Sequence, residues 1–192
     1  MLDLQIVEAE EPGLTRQVVG LLRDYFLWLR RRYVAELHIL DAHYDEGERT
    51  RELADLRGRY GTPHGAILLA RVGGAAVGCV MMRGVGDGVC EMKRLFVRPA
   101  FHGLGIARAL VCRLAILAGE RGYVTIRLET GPRQFEAQAL YRSIGFKEVA
   151  PYYEAAGWFK DNMLFFEATT RDIACQRTRA RERRPKAAAA AA

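Results

Sequence analysis

The sequence predicts an α/β (α+β) domain built on one mixed, mostly antiparallel sheet of about seven strands. Three observations predict it. Apolar runs between residues 64 and 99 are separated only by glycine turns, which is how consecutive antiparallel strands are joined. Runs over 12–33 and 106–118 carry apolar residues at three- and four-residue steps and read as helices. The second of these helices lies between two strand-like runs, 89–99 and 123–130, and so makes a parallel pair with a crossover.

The elements follow in order. "LDLQIVEA" (2–9) alternates and reads as a strand. Pro12 suits a first helical turn, and Val18, Leu21, Leu22, Tyr25, Phe26 and Leu29 make the apolar stripe of a helix to about Tyr33. Residues 34–48 read as a loop with acidic residues, and 49–60 as a short, weakly amphipathic helix. "HGAILLARV", "AAVGCVMMR" and "VCEMKRLFVRP" are three strands. Gly73-Gly74 and "GVGDG" turn between them, and Pro99 ends the third because proline cannot donate to a ladder. The helix from Ile106 is closed by Gly122, which suits a C-terminal cap. "YVTIRLET" is a strand, "QFEAQALYRS" a helix stopped by Gly145, and "FKEV" and "NMLFFEAT" are the last strands. The order is βααβββαβαββ, one domain over 1–168, with 169–192 left as a basic tail.

Composition fits a globular chain, since 50% of the 192 residues are hydrophobic. No apolar run reaches the roughly 20 residues of a membrane span, and the acidic start lacks a basic leader region. Cys79, Cys90, Cys112 and Cys175 show neither CxxC nor zinc-type spacing, which predicts reduced thiols and a cytoplasmic protein. Of the net charge of +6, residues 171–186 hold +5, so the basic character belongs to the tail. No aromatic residues interleave with that charge run, which argues against nucleic acid as the partner. His38 and His43, at i, i+5 near Asp41 and Asp45, do not align as ligands on a helix, so no metal is expected.

"FHGLGIAR" (101–108) places two glycines directly ahead of a helix. The first four N–H groups of a helix have no partner within it, and glycine lets an anion approach without a Cβ in the way. Gly103 and Gly105 therefore read as a phosphate cradle, with Arg98 and Arg108 adding charge. The dinucleotide pattern G-x-G-x-x-G fails at Arg108, and no P-loop pattern occurs.

"CEMKRLFVRPAFHGLGIARAL", followed about thirty residues later by "EAQALYRSIGFKEVAPYY", resembles the GNAT superfamily of acyl-CoA-dependent N-acetyltransferases. His102, Gly103, Leu104, Gly105, Ile106 and Ala107 fall on that family's Q/R-x-x-G-x-G/A pyrophosphate loop, with Arg108 beside it. "ALYRSIGF" (139–146) falls on its second signature, and the element order is also the family's. His102 departs from the usual Arg or Gln, and the usual Asn after the fifth strand is replaced by something within "TGPRQFEAQ". The resemblance implies acetyl-CoA as cosubstrate, no metal, and a pantetheine arm lying between two splayed strands. The amides near Phe96 and Val97 would face the arm. It further implies Tyr141 as the acid that protonates the thiolate and Glu91 as the general base. The acceptor would be the primary amine of a small molecule, attacking directly in a ternary complex. Asp41, Asp45, Glu46 and Glu48 would favour a cation in its pocket, and Tyr152, Tyr153 and Trp158 would wall it. A peptide or protein acceptor, and a CoA-binding regulator without turnover, remain open at this point, as does a homodimer.

Overall fold

The computed structural model describes residues 2–43, 45–153 and 158–173. Seven strands form one sheet in the order β1-β2-β3-β4-β5-β7-β6: β1 Leu4–Glu8, β2 Gly65–Val72, β3 Ala75–Gly86, β4 Val89–Val97, β5 Thr125–Thr130, β6 Lys147–Val149 and β7 Leu164–Thr169. Every neighbouring pair is antiparallel except β4 and β5, the pair joined by a helical crossover. The helices are α1 Pro12–Arg32, α2 Leu37–His43, α3 Glu46–Ala54, α4 Leu56–Tyr60, α5 Ile106–Glu120, α6 Phe135–Ser143 and α7 Trp158–Asn162.

Each face of the sheet has its own core, because strand side chains alternate between faces. Leu68, Val80, Met82, Cys90 and Met92 point toward α5, whose Leu110, Val111 and Leu114 are fully buried against them. Leu69, Cys79, Met81 and Phe96 point the other way, toward Val18, Leu21 and Leu22 of α1. The shift from Met92 to Phe96 breaks strict alternation, and its cause is a bulge. Arg94 has φ +57°, and the β3–β4 register slips between Cys79 and Met81.

Four expectations change. Residues 34–43 form a short 3-10 turn and α2 rather than a loop. The helix expected over 49–60 begins earlier and breaks at Asp55, whose side chain accepts from the Gly58 amide and caps a new helix. The folded body runs past 168, since Ile173 is buried in the α5-side core. The rest of the basic tail, from 174, lies outside the described residues. Finally, Cys79 and Cys90 are free and buried, burial pushing each thiol up to about 12, but Cys112 is disulfide-bonded, so the cysteines are not uniformly reduced. Among the described residues no helix is long and apolar enough to cross a membrane.

The bulge is held by a buried ion pair. Glu52 of α3, 1% exposed, accepts from Arg94 Nε at 2.9 Å and Nη2 at 2.7 Å, and from the Tyr60 hydroxyl at 2.8 Å. Burial alone would raise the Glu52 pKa, but hydrogen bonds and charge from Arg94 lower it below its ordinary 4.5. A depressed carboxylate pKa adds stability above the unfolded value, and that stability is lost as pH falls through the folded value. Replacing Glu52 by Ala strands Arg94 in the interior and should cost about 3 kcal/mol at pH 7. Urea unfolding should show this loss shrinking below about pH 4.5, and a pH-independent loss would remove the ion pair as its cause.

Candidate active site

The site begins where the sheet opens. Strand β4 pairs with β5 only from Val89 to Glu91, opposite Thr125 to Arg127. It goes on pairing with β3 as far as Val97. From Met92 onward its β5-facing edge therefore has no strand partner among the described residues. A cavity of ≈ 350 Å³ lies beside this part of β4, between α1, α5 and α6. Phe96, Val97, His102, Gly103, Gly105, Ile106, Ala107 and Arg108 line it, with Trp28, Leu95 and Leu140 supplying further apolar wall. Leu104, between the two glycines, is exposed and is not among the lining residues.

The glycine loop has the geometry a bound anion needs. Gly103 and Gly105 have φ of +75° and +76°, and a Cβ on either would meet no protein atom within 4 Å. Glycine is thus required by backbone conformation, and the space beside it is open. No side chain caps α5, whose first intrahelical amide–carbonyl bond is Ala109 N to Gly105 O. The amides of Ile106, Ala107 and Arg108 precede it, and the helix dipole favours negative charge there.

Of the two flanking cations, one is placed differently from expectation. Arg98 turns away and pairs with Asp24 at 2.8 Å. Arg108 lines the cavity and donates to Ser143 Oγ at 2.8 Å. His102 donates from Nε2 to the Val97 carbonyl at 2.8 Å, so that nitrogen ties the glycine loop to the end of β4 rather than reaching for an anion.

The cavity narrows into a chamber of ≈ 50 Å³ at the splay. Leu95, Gln134 and Ala137 line both spaces. Tyr141 is on the chamber wall, 95% buried, packed against Phe146 and Phe166 at ring separations of 5.7 and 5.8 Å. Burial pushes its phenol above the ordinary 10.0. Lys93 and Glu129 share the wall, bonded at 2.7 Å. Lys93 also holds Glu91 at 2.9 Å, and Arg83 holds the same carboxylate at 2.8 Å. Glu91 is buried with a cation on each oxygen and lies outside the chamber's lining residues. Tyr153 donates to Glu129, while the Tyr152 hydroxyl is buried without a partner among the described residues.

Sequence reading missed Lys93, Glu129 and Gln134. The first two follow from register: Glu91 sits opposite Arg127, so the next same-face positions, Lys93 and Glu129, meet across the splay. Gln134 is the polar side chain that "TGPRQFEAQ" left open. Its Oε1 accepts from the Gly131 amide at 2.7 Å and the Thr130 hydroxyl at 2.9 Å, leaving its NH2 for the cavities it lines. The acidic residues of 41–48 are mostly committed elsewhere. Asp41 pairs with Arg30, Asp45 caps α3, and Glu48 pairs with Arg51 and Arg59. Trp158 walls a third, apolar space of ≈ 20 Å³ with Leu29, Tyr33 and Leu40.

A splayed parallel pair, with an uncapped glycine-led helix at one end and a buried tyrosine at the other, frames the candidate site of an α/β domain. The chain belongs to the acetyltransferase (GNAT) family, whose model matches residues 24–146. It is 43% identical over 104 residues to an uncharacterised N-acetyltransferase of Schizosaccharomyces pombe, covering 53% of this chain and 64% of that protein. It is 34% identical over 146 residues to the IAA acetyltransferase of Azospirillum brasilense, covering 75% and 86%. The chain spans under two thirds of the first curated relatives it matches. In fold it is similar to the PaiA N-acetyltransferase of Thermoplasma acidophilum, solved in complex with coenzyme A, at TM-score 0.66, 15% identity, and coverage of 87% and 99%.

Replacing Gly105 by Ala puts a Cβ at left-handed φ and into the cavity. The expected stability loss is about 1–2 kcal/mol, while affinity for a diphosphate-bearing coenzyme should fall by more than about tenfold, one lost charge-assisted bond being worth that much. Calorimetric titration beside thermal melting checks it; equal affinity for wild type and variant would show that the loop holds no phosphate.

Proposed function

We propose that the chain transfers an acetyl group from acetyl-CoA to the primary amine of a small molecule, by direct attack in a ternary complex. The observation that carries this reading is the continuity of the uncapped α5 amides, the ≈ 350 Å³ cavity and the Tyr141 chamber along one unpaired edge of β4. A diphosphate fits the amides, a pantetheine arm fits the cavity, and the unpaired β4 edge offers amides to its carbonyls. The naming of relatives as acetyltransferases, one solved with coenzyme A, supports the same reading.

The chemistry then divides among the chamber's residues. The neutral amine attacks the thioester carbonyl carbon; the C–N bond forms, the C–S bond breaks, and the amine's proton must leave. Glu129 is the carboxylate on the chamber wall, held there by Lys93 and Tyr153, and it takes that proton. Glu91, clamped by Arg83 and Lys93, orients Lys93 rather than reaching the amine, which moves the base from the residue first expected. Tyr141 gives its proton to the departing thiolate. Its raised pKa keeps the donor form populated through neutral and mildly alkaline pH, and the same burial strengthens the thiolate as a base.

Incubation with acetyl-CoA and an amine panel, read by thiol release, tests the reading; absence of release with every amine, despite coenzyme binding, would make the protein a binding module instead. Tyr141→Phe should lower kcat about 100-fold with coenzyme affinity retained. Glu129→Gln should lower kcat about 100-fold with coenzyme affinity retained. That loss in Glu91→Gln but not in Glu129→Gln would return the base to Glu91.

A further inference from the structure

The three spaces of the site share walls, and the shared residues show how they connect. Leu95, Gln134 and Ala137 lie between the large cavity and the ≈ 50 Å³ chamber. Among the described residues, only Gln134 and Met163 line both that chamber and the apolar ≈ 20 Å³ space beneath α1 and α2. Gln134 is pinned by its bonds to Gly131 and Thr130. Met163, one residue ahead of β7, is a flexible thioether of the kind that fills irregular gaps. It is therefore the removable part of the partition.

The volumes give the partition a meaning. Admitting one water-sized group takes about 10–15 Å³ of such space. A chamber of ≈ 50 Å³ holds the few heavy atoms of an acetyl thioester, and ≈ 20 Å³ beyond it holds one more. The walls of the further space, Leu29, Tyr33, Ile39 and Leu40, suit hydrocarbon.

Resting on the acyl-transfer reading above, we propose that Met163 sets the length of the acyl group the protein accepts. Its side chain closes the chamber behind the acetyl methyl, and the apolar space under α1 receives a longer chain once that side chain is cut back. Met163→Ala removes three heavy atoms, and a butyryl group exceeds an acetyl group by two.

The experiment measures kcat/KM for acetyl-, propionyl-, butyryl- and hexanoyl-CoA with one fixed amine, together with equilibrium binding of acetyl- and butyryl-CoA. Wild type, Met163→Ala, Met163→Val and Met163→Leu are compared, and thermal melting confirms that each is folded. The butyryl-to-acetyl ratio should rise about tenfold or more in Met163→Ala, less in Met163→Val, and stay near wild type in Met163→Leu. The binding ratio should move in the same direction. If Met163→Ala does not fold, the Met163→Val ratio decides. A folded variant with an unchanged ratio overturns the proposal while leaving acetyl transfer intact. A wild type that binds no acyl-CoA overturns the acyl-transfer reading, and this proposal with it.

Discussion

The site exists because β4 stops pairing with β5 at Glu91 while it continues to pair with β3 to Val97. A strand with one edge satisfied and the other bare is costly in a closed core, since buried amides and carbonyls need partners. Here the bare edge faces a cavity, so a ligand can complete what a strand would otherwise supply. The bulge at Arg94 marks the change in direction, and the Glu52–Arg94–Tyr60 cluster anchors it to α3 and α4. The short helices after α1 thereby help fix the geometry of a strand on the far side of the core.

Charge is arranged around this opening with little left over. Glu91, Lys93 and Glu129 run across the splay, with Arg83 at one end and Tyr153 at the other. Each buried charge touches an opposite one, which offsets the cost of taking it out of water. Along the cavity wall, Arg32 stacks over Trp28 at 4.9 Å and pairs with Glu136, tying α1 to α6. At the glycine loop the first α5 amides have neither a helical partner nor a capping side chain.

Much of this was legible in the residues. The glycine turns, the apolar stripes of α1 and α5 and the crossover between β4 and β5 each follow from local pattern, and all stand in the structure. The bulge also has a local sign, since "KRLFV" does not alternate cleanly around Arg94. What local pattern could not give was partnership. Glu91 looked available as a base, yet Arg83 comes to it from β3 and Lys93 from two residues along its own strand. Residues 34–48 looked like a polar loop because Asp45 read as a generic acid, whereas it caps α3. Gln134 could not be singled out because its importance comes from three elements meeting around it.

That meeting at Gln134 has a consequence for how the site responds to change. One amide borders all three cavities. Substitutions in different compartments that would otherwise sum independently become interdependent when this residue is among them.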